Sequence, residues 1–373
     1  MNEISARRLL FPLNPLYRLG LAFRELSLLW PAQQLGHPVV SIGNLSTGGS
    51  GKTPLTIALA GALERRGIRV DVLSRGYGRE GFLPARVDSE GCAEEFGDEP
   101  LLIAREAEVP VYVAPRRYDA GLLAEAEFEA TPPQSQVEEE ESGAPESALV
   151  HETPELEADG NPPASAAEAA PPLPLVHLLD DGFQHRQLAR DVDILLLNSR
   201  DWQDWLLPAG NLREPLDAAR RADVIAIPAD EPELEVALHL WGWEKPIWLL
   251  QRIMEVPDVA GPVAAFCGIA RPEQFFTGLE AAGVKIAARF AFPDHFTYTR
   301  AALDELLANA QAAGAETLLT TDKDLARLGK LTALIPKSIS LATARLRIKI
   351  ENQAQAIDWL IAQITANSRP NHL

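Results

Sequence analysis

The stretch from Val39 to Pro54 places the strongest constraint on the fold. It begins as an apolar run typical of a buried strand, passes through a glycine-rich turn, and enters a predicted helix that ends near Arg66. Glycines in the turn let successive backbone N–H groups point inward, and the helix N-terminus adds a positive dipole. Lysine supplies a point charge, and a threonine hydroxyl can ligate Mg²⁺. The sequence therefore predicts a nucleotide triphosphate site formed by Ser46, Thr47, Gly48, Gly49, Ser50, Gly51, Lys52 and Thr53.

One position departs from the strict phosphate-loop pattern, which has glycine where this chain has Ser46. The local form, Gly-Gly-x-Gly-Lys-Thr, resembles the loops of the partitioning-ATPase and nitrogenase-iron-protein group. Members of that group carry a lysine at the position of Thr47. The missing lysine counts against a regulatory or assembly ATPase that has no small acceptor. Such an ATPase remains the alternative function.

Composition limits the possible partners and compartment. The length of 373 residues predicts two domains, and the net charge of −19 argues against nucleic acid. Residues 131–174 contain ten Asp or Glu, no Lys or Arg, and no aromatic residue. This composition favours a disordered acidic insertion, with an acidic docking segment as the alternative. Two cysteines, Cys92 and Cys267, fit a reducing cytoplasm. No obligate protein partner is inferred.

The N-terminal thirty residues are basic and apolar, although the whole chain is acidic. A helix beginning near Pro15 would place Leu16, Leu19, Phe23, Leu26 and Trp30 on one stripe, with arginines beside it. This pattern is typical of a helix that lies in a membrane interface, and a helix packed on its own domain is the equal alternative. The sequence shows no cleavable signal peptide and no apolar run of about 18 residues that could span a bilayer.

Strands and helices alternate along most of the chain, which predicts parallel sheets covered by helices. The expected fold is α/β, with a P-loop-containing parallel-sheet lobe, a second α/β lobe, a cleft between them, and the N-terminal interfacial helix. The predicted boundaries are 1–30 for that helix, 31–190 for the nucleotide-binding lobe, 191–342 for the second lobe, and 343–373 for a C-terminal segment of unassigned lobe.

Polar residues near strand ends are the candidates for chemistry. Asp180 and Asp181 end an apolar strand downstream of the phosphate loop, where a carboxylate commonly holds Mg²⁺ or its waters. Asp98 either caps a helix or acts as a general base, and His295 is either a surface residue or catalytic. The charged segments 211–215 and 320–324 could each contact ligand or form a salt-bridged loop.

Together, several segments resemble the tetraacyldisaccharide 4'-kinase family, the lipid A 4'-kinases of Gram-negative bacteria. The matching segments lie in order between about residue 10 and residue 330, outside the acidic insertion: Asn14-Pro-Leu-Tyr17, Ser41 to Pro54, Leu73-Ser-Arg-Gly-Tyr-Gly78, Gly97-Asp-Glu-Pro100, Leu179 to Arg186, Leu207 to Pro215, Phe292-Pro-Asp-His-Phe296 and Thr320-Thr-Asp-Lys-Asp324. The resemblance implies transfer of the γ-phosphate of ATP to the 4'-hydroxyl of an acylated disaccharide 1-phosphate, by a peripheral protein at the cytoplasmic face of the inner membrane.

The resemblance also implies roles for individual residues. It makes Asp98 the base that orients or deprotonates the acceptor hydroxyl, with His295 tuning it from across the cleft. Thr53, Asp180, Asp181 and Gln184 are expected around Mg²⁺ and the phosphates. Four further residues are expected near the transferred group or the acceptor, namely Glu99, Arg117, Arg213 and Glu214. A soluble small-molecule kinase or ligase would leave the basic apolar N-terminus unexplained.

Overall fold

The computed structural model describes residues 10–27, 31–130, 175–259 and 261–367. The expected disordered insertion at 131–174, and Trp30 of the N-terminal stripe, lie outside the described residues. Within them, twelve strands form one mostly parallel sheet, which confirms the expected α/β class. The strands are β1 (Val39–Asn44), β2 (Arg69–Ser74), β3 (Ala85–Arg86), β4 (Val111–Val113), β5 (Leu175–Asp180), β6 (Val192–Leu196), β7 (Val224–Pro228), β8 (Ile247–Glu255), β9 (Val263–Cys267), β10 (Ile286–Ala291), β11 (Thr317–Thr321) and β12 (Ser340–Ile350).

Helices connect most of these strands and cover the sheet. They are α1 (Asn14–Ser27), α2 (Lys52–Glu64), α3 (Ala93–Phe96), α4 (Asp98–Ala107), α5 (Arg117–Ala130), α6 (Ser199–Gln203), α7 (Pro232–Leu240), α8 (Pro272–Ala281), α9 (Arg300–Ala312), α10 (Asp322–Leu328) and α11 (Gln353–Asn367). Three 3₁₀ helices cover Phe11–Leu13, Leu216–Arg221 and Gly329–Leu334. Seven of these helices have ten or more residues: α1, α2, α4, α5, α8, α9 and α11.

The strand that leads into the phosphate loop lies in the middle of the first part of the sheet. Strand β1 pairs in parallel with β5 on one side and β6 on the other. All six residues of β1 and of β5 are buried, as expected for parallel strands covered on both faces. The phosphate loop and the Asp180 strand end therefore meet at the same edge of the sheet.

The predicted boundary near residue 190 does not coincide with a break in the sheet. Strand β6 pairs with β1, and β7 pairs with β6, so both belong beside the phosphate-loop strand. The sequence analysis had assigned them to the second lobe, and that assignment is wrong. Alternation of strands and helices is the same in both halves, so it could not reveal which strands are neighbours.

Two long strands that the sequence analysis missed join the two parts of the sheet. The first part of β8 pairs in parallel with β7, and its second part pairs antiparallel with β12 from Leu250 to Glu255. Residues 340–344 of β12 pair in parallel with β11, which continues through β9 to β10. The first lobe is thus built on β1 to β7 and the second on β9 to β11, and the β8–β12 pair connects them.

Both terminal helices pack on the first lobe. Helix α11 buries Ile357 and Leu360 in the same apolar cluster as residues of α2 and β1, which places the C-terminal segment. Helix α1 contacts the lobe through Tyr17 and Leu21, while Leu16 and Phe23 are 68% and 62% exposed. Among the described residues, no helix combines the length and apolar character that crossing a membrane requires.

Candidate active site

The phosphate loop is held open by its backbone geometry and by a neighbouring segment. Gly48 and Gly51 have φ angles of +100° and +95°, in the left-handed region that favours glycine. Thr47 N donates a hydrogen bond to the Asn211 carbonyl at 2.8 Å, and Arg213 N donates to the Leu45 carbonyl at 2.7 Å. The loop is therefore fixed between β1 and the 211–213 segment before any ligand contributes.

Lys52, Asp181 and Arg213 form a charged group at the mouth of this loop. Lys52 Nζ lies 3.2 Å from Asn44 Oδ1 and 3.5 Å from Asp181 Oδ1. The Arg213 guanidinium binds both carboxylate oxygens of Asp181, at 2.9 Å and 3.1 Å. Burial opposes ionisation of Asp181, but the Lys52 charge and the Arg213 hydrogen bonds outweigh it and hold the pKa of Asp181 well below its usual value.

Asp180 points into a different environment from its neighbour. It is buried, Ser74 Oγ donates to its Oδ2 at 3.5 Å, and its Oδ1 has no hydrogen-bond partner. Burial, together with the charges of Glu99 and Asp181, raises the pKa of Asp180. Within the part of the chain that the structure describes, no cluster of three or more His, Cys, Asp or Glu forms a metal cage.

This donor set nevertheless fits Mg²⁺ bound to a nucleotide. Mg²⁺ usually takes one or two carboxylates and completes its shell with water and substrate phosphates. The buried, unpartnered Asp180 Oδ1 and the buried Thr53 at the start of α2 supply ligands of that kind. Gln184 donates its amide to the Asn44 carbonyl at 2.7 Å, and its Oε1 is likewise buried without a partner.

Asp98 is at the first position of α4, in contact with the second lobe. Gly97, with φ of +90°, occupies the N-cap position that the sequence analysis had offered to Asp98. The Asp98 carboxylate instead accepts hydrogen bonds from Arg327 of α10, with Nε at 3.0 Å. Burial opposes ionisation of Asp98, but the His295 hydrogen bond and the Arg327 charge lower its pKa below the usual value.

His295 approaches the same carboxylate from the loop after β10. Its Nδ1 lies 3.4 Å from Asp98 Oδ2, and its backbone has a φ of +58°. The hydrogen bond to Asp98 raises the pKa of His295 above its ordinary value. A non-glycine residue in this conformation is strained, and such strain is found mostly at functional sites. Asp98 and His295 were expected to face each other across the cleft, and the structure brings them together.

The 320–324 segment, whose role the sequence left open, anchors this contact between the lobes. Lys323 Nζ forms a 2.6 Å ion pair with Glu99 Oε1. Asp324 is fully buried, and it accepts hydrogen bonds from Gly268 N at 3.0 Å and Tyr298 Oη at 3.1 Å. The segment therefore aligns α10 so that Lys323 and Arg327, four residues apart on one helix face, meet Glu99 and Asp98.

The remaining candidates are divided between the site and its support. Arg117 is buried, which lowers the pKa of its guanidinium, and it donates to the Asp181 carbonyl at 3.3 Å. Glu214 is also buried, but it pairs with Arg221 at 2.6 Å, and Arg221 lies over the Phe183 ring. Arg117 is therefore adjacent to the phosphate loop, whereas Glu214 braces the segment that carries Arg213.

Sequence reasoning missed Asn44 and Arg327. Asn44 ends β1 and accepts from Lys52 and Arg213, and nothing in its sequence context distinguishes it from an ordinary strand end. Arg327 had a detectable signal, since it follows Lys323 by one helical turn. The phosphate site and the Asp98 site influence each other through Glu99. The charges of Lys323 and then Lys52 lower the pKa of Glu99, and burial and then the Glu99 charge raise the pKa of Asp180.

Comparison with known proteins finds matches along most of the chain. The family model described as tetraacyldisaccharide-1-P 4'-kinase matches residues 6–365. A protein named tetraacyldisaccharide 4'-kinase from Koribacter versatilis is 36% identical over 363 residues, covering 94% of this chain and 97% of the relative. One of the same name from Syntrophobacter fumaroxidans is 36% identical and covers 84% of this chain and 77% of the relative.

A solved structure extends the similarity to three dimensions. It is a crystal structure of LpxK from Aquifex aeolicus, described as an "apo" form in complex with ATP. The TM-score is 0.66 and the sequence identity is 30%, with 96% of this chain and 99% of that chain covered.

Proposed function

Because the chain belongs to the tetraacyldisaccharide 4'-kinase family, we propose that it transfers the γ-phosphate of ATP to the 4'-hydroxyl of tetraacyldisaccharide 1-phosphate in lipid A synthesis. The observation that carries the reaction type is the closeness of two groups of residues. Glu99, next to Asp98, forms an ion pair with Lys323, and the charges of Lys323 and then Lys52 lower its pKa. Burial and then the Glu99 charge raise the pKa of Asp180 at the phosphate site. A donor phosphate and an acceptor hydroxyl can therefore meet between them.

The phosphate loop binds the triphosphate. Its backbone N–H groups and the α2 N-terminus attract the phosphate oxygens, and Lys52 adds a positive charge. When bound, Mg²⁺ would neutralise charge on the β- and γ-phosphates. Asp180 and Thr53 are the residues best placed to hold it, and Gln184 supports the same corner of the site.

The contacts of Asp181 favour a different role from the expected one of binding Mg²⁺. Its two oxygens are taken by Arg213, and Lys52 is close to one of them. We assign it the task of orienting these two cations toward the transferred phosphoryl group. Arg117, which donates a hydrogen bond to the Asp181 carbonyl, adds a third positive charge to the same region.

Asp98 accepts the proton of the acceptor hydroxyl or orients that hydroxyl for attack. Its lowered pKa keeps the carboxylate ionised at neutral pH, so it is ready to accept a hydrogen bond from the incoming alcohol. His295 and Arg327 hold the carboxylate in one orientation from the second lobe. Because Asp98 and its two partners come from different lobes, their relative placement controls the site.

An acylated acceptor requires contact between the protein and lipid, and the exposed apolar side chains of α1 can make that contact. The described members of the predicted stripe, Leu16, Leu19 and Phe23, are exposed, whereas Tyr17 donates a hydrogen bond to the Arg213 carbonyl at 3.0 Å. One face of the helix thus reaches the active site while the opposite face is apolar and free to enter an interface. This favours peripheral binding at the cytoplasmic face of the inner membrane.

Phosphate transfer from labelled ATP to the acceptor tests the function directly. The acceptor is tetraacyldisaccharide 1-phosphate in detergent micelles, and Asp98→Asn is the matched variant. We expect labelled lipid with the wild-type protein, and a loss of about 100-fold or more in kcat with Asp98→Asn while ATP still binds. Acceptor-independent hydrolysis, with no label on lipid, would support the regulatory ATPase instead; the family match favours the kinase.

A further inference from the structure

The turn between β9 and α8 places Arg271 of the second lobe beside the phosphate loop. Gly48 of the loop packs against the residue that precedes Arg271, since a Cβ added to Gly48 would lie 3.5 Å from the Ala270 Cβ. The turn is itself held in place, because the Gly268 carbonyl accepts a hydrogen bond from Arg327 Nη1 at 2.6 Å. The side chain of Arg271 therefore starts from a fixed backbone position that adjoins the loop.

Arg271 is one of three arginines that lie together at this edge of the phosphate loop. Arg252 of β8 donates a hydrogen bond from its Nη2 to the Ser50 carbonyl of the loop at 3.5 Å. Burial first, and then the charge of Arg200, lower the pKa of Arg271, and the charge of Asp201 opposes this without cancelling it. Like charges held close together in a partly buried place are unfavourable unless an anion joins them.

Within the described part of the chain, no protein group neutralises Arg271 directly. Its side chain makes no ion pair or hydrogen bond there, and it does not cap α8 although Arg271 occupies the N-cap position. Asp201 is buried and is already hydrogen-bonded by Asn198 at 2.7 Å and by Ser46 of the phosphate loop. The Arg271 guanidinium is therefore available to an anionic ligand at the loop.

We propose that Arg271 binds the γ-phosphate of ATP, as an arginine finger that the second lobe supplies to the phosphate loop of the first. This rests on the proposed function, because it takes ATP to be the phosphate donor held by that loop. The backbone of a phosphate loop cradles the β- and γ-phosphates, so a turn packed against Gly48 is close to them. An arginine placed there neutralises charge on the phosphoryl group during transfer.

This assignment gives one segment of the second lobe a part in aligning both reactants. Arg327 binds the Asp98 carboxylate and also the Gly268 carbonyl, three residues before Arg271. The backbone that is tied to the proposed base is thus continuous with the residue that holds the γ-phosphate. A shift of this turn would move the donor phosphate and the acceptor hydroxyl relative to each other.

Nucleotide binding without acceptor tests the contact. Calorimetry with Mg²⁺ would compare ADP with the imido analogue of ATP, which keeps the γ-phosphate but resists transfer. We expect Arg271→Gln to weaken binding of the analogue by about fivefold to tenfold, and that of ADP by less than about twofold. Arg271→Lys should lie between wild type and Arg271→Gln, because it keeps the charge but loses the fork of donors. Arg300→Gln, which changes an exposed arginine of the same lobe, is the matched control.

Turnover supplies the second measurement. With labelled ATP and tetraacyldisaccharide 1-phosphate in micelles, Arg271→Gln should lower kcat by about 100-fold or more, and Arg271→Lys should recover part of it. Arg300→Gln should stay within about twofold of wild type. The urea midpoint of Arg271→Gln should match that of the wild-type protein, which separates a lost contact from a damaged fold.

Two outcomes would overturn the inference. Equal weakening of ADP and the analogue by Arg271→Gln would assign Arg271 to another part of the nucleotide or to a structural role. An unchanged ratio of the two Kd values, even with a lower kcat, would show that Arg271 does not hold the γ-phosphate. If the wild-type protein labelled no lipid while Arg271→Gln still lost its preference for the triphosphate, the proposed function would fail and the contact would stand.

Discussion

Arg327 Nε lies 3.0 Å from Asp98 Oδ2, although 229 positions separate the two residues in the chain. The same guanidinium donates to the Gly268 carbonyl at 2.6 Å and lies 3.3 Å from Asp324 Oδ1. A planar guanidinium with several donors can hold all these acceptors at once. Arg327 therefore fixes the proposed base of the first lobe to the second lobe.

Replacing Arg327 with glutamine should shift the pH dependence of activity. The Arg327 charge lowers the pKa of Asp98, so its removal raises that pKa. Since Asp98 must be ionised to accept a proton, the acid limb of kcat/KM should move to higher pH. Arg300→Gln, which affects an exposed pair with Asp304, is the control. A lower kcat with an unmoved acid limb would contradict this account.

Asp98→Asn should change the protonation of His295. The hydrogen bond and the charge of Asp98 raise the pKa of His295, so the neutral asparagine should let it fall toward about 6.5. Proton NMR of the imidazole Cε1–H across pH 5 to 9 would measure this. An identical His295 titration in both proteins would mean that the two side chains do not interact in solution.

The sequence predicted what local patterns determine. Buried apolar runs and glycine turns gave the phosphate loop, most strands and the helix bounds within a few residues, because these depend on neighbouring positions. Strands β8 and β12, which join the two lobes, were missed. Each pairs differently along its two halves, so buried and exposed residues do not alternate regularly along either strand. Arg327 was missed for a related reason, because its role exists only when α10 meets α4.

Arg213→Lys tests whether two-point binding of Asp181 is needed. Lysine keeps the charge but cannot bind both carboxylate oxygens in one plane. We expect kcat to fall by about tenfold to 100-fold, with a smaller rise in KM for ATP, because Lys52 and the loop backbone remain. Arg220→Gln, an exposed arginine on the following 3₁₀ helix, should have little effect. Full activity of Arg213→Lys would show that only the charge matters.

A buried histidine should make the stability of the first lobe depend on pH. His177 Nδ1 lies 2.8 Å from Asp71 Oδ1, and its Nε2 lies 3.4 Å from Glu125 Oε1. Burial lowers the pKa of His177, but Asp71 and Glu125 outweigh it and raise the pKa to about 9. Protonated His177 therefore stabilises the fold fully below about pH 6.5, and this contribution is lost as the pH rises through about 9.

Urea unfolding at pH 6 and pH 9.5 would measure the His177 contribution. The free energy of unfolding should fall between these pH values by roughly 3 kcal/mol more in the wild-type protein than in His177→Gln. His177→Gln should also be less stable at pH 6, because the buried Asp71 and the partly buried Glu125 lose their partner. His239→Gln should keep the wild-type pH dependence. Parallel pH dependence in wild type and His177→Gln would show that His177 is neutral throughout.

Arg347 of β12 forms ion pairs with two carboxylates, and the energies of the two pairs should differ because the two carboxylates differ in exposure to solvent. Arg347 Nη1 is 2.6 Å from Glu106 Oε2, a nearly buried carboxylate on α4, and its Nε is 3.1 Å from Glu255 Oε2, whose side chain is 55% exposed. Burial first, and then the charge of Asp322, raise the pKa of Glu106 despite its arginine partners. Solvent screens the Glu255 pair, whereas it screens the Glu106 pair much less.

Double-mutant cycles with Arg347→Gln would compare the two pairs. We expect a coupling energy of about 1 to 3 kcal/mol for Arg347 with Glu106→Gln, and about 0 to 1 kcal/mol with Glu255→Gln, both from urea unfolding. Because α4 begins at Asp98, Glu106→Gln should also lower kcat more than Glu255→Gln does, with the KM for ATP unchanged. Equal coupling for the two carboxylates, or equal kcat, would show that β12 does not hold α4 in place.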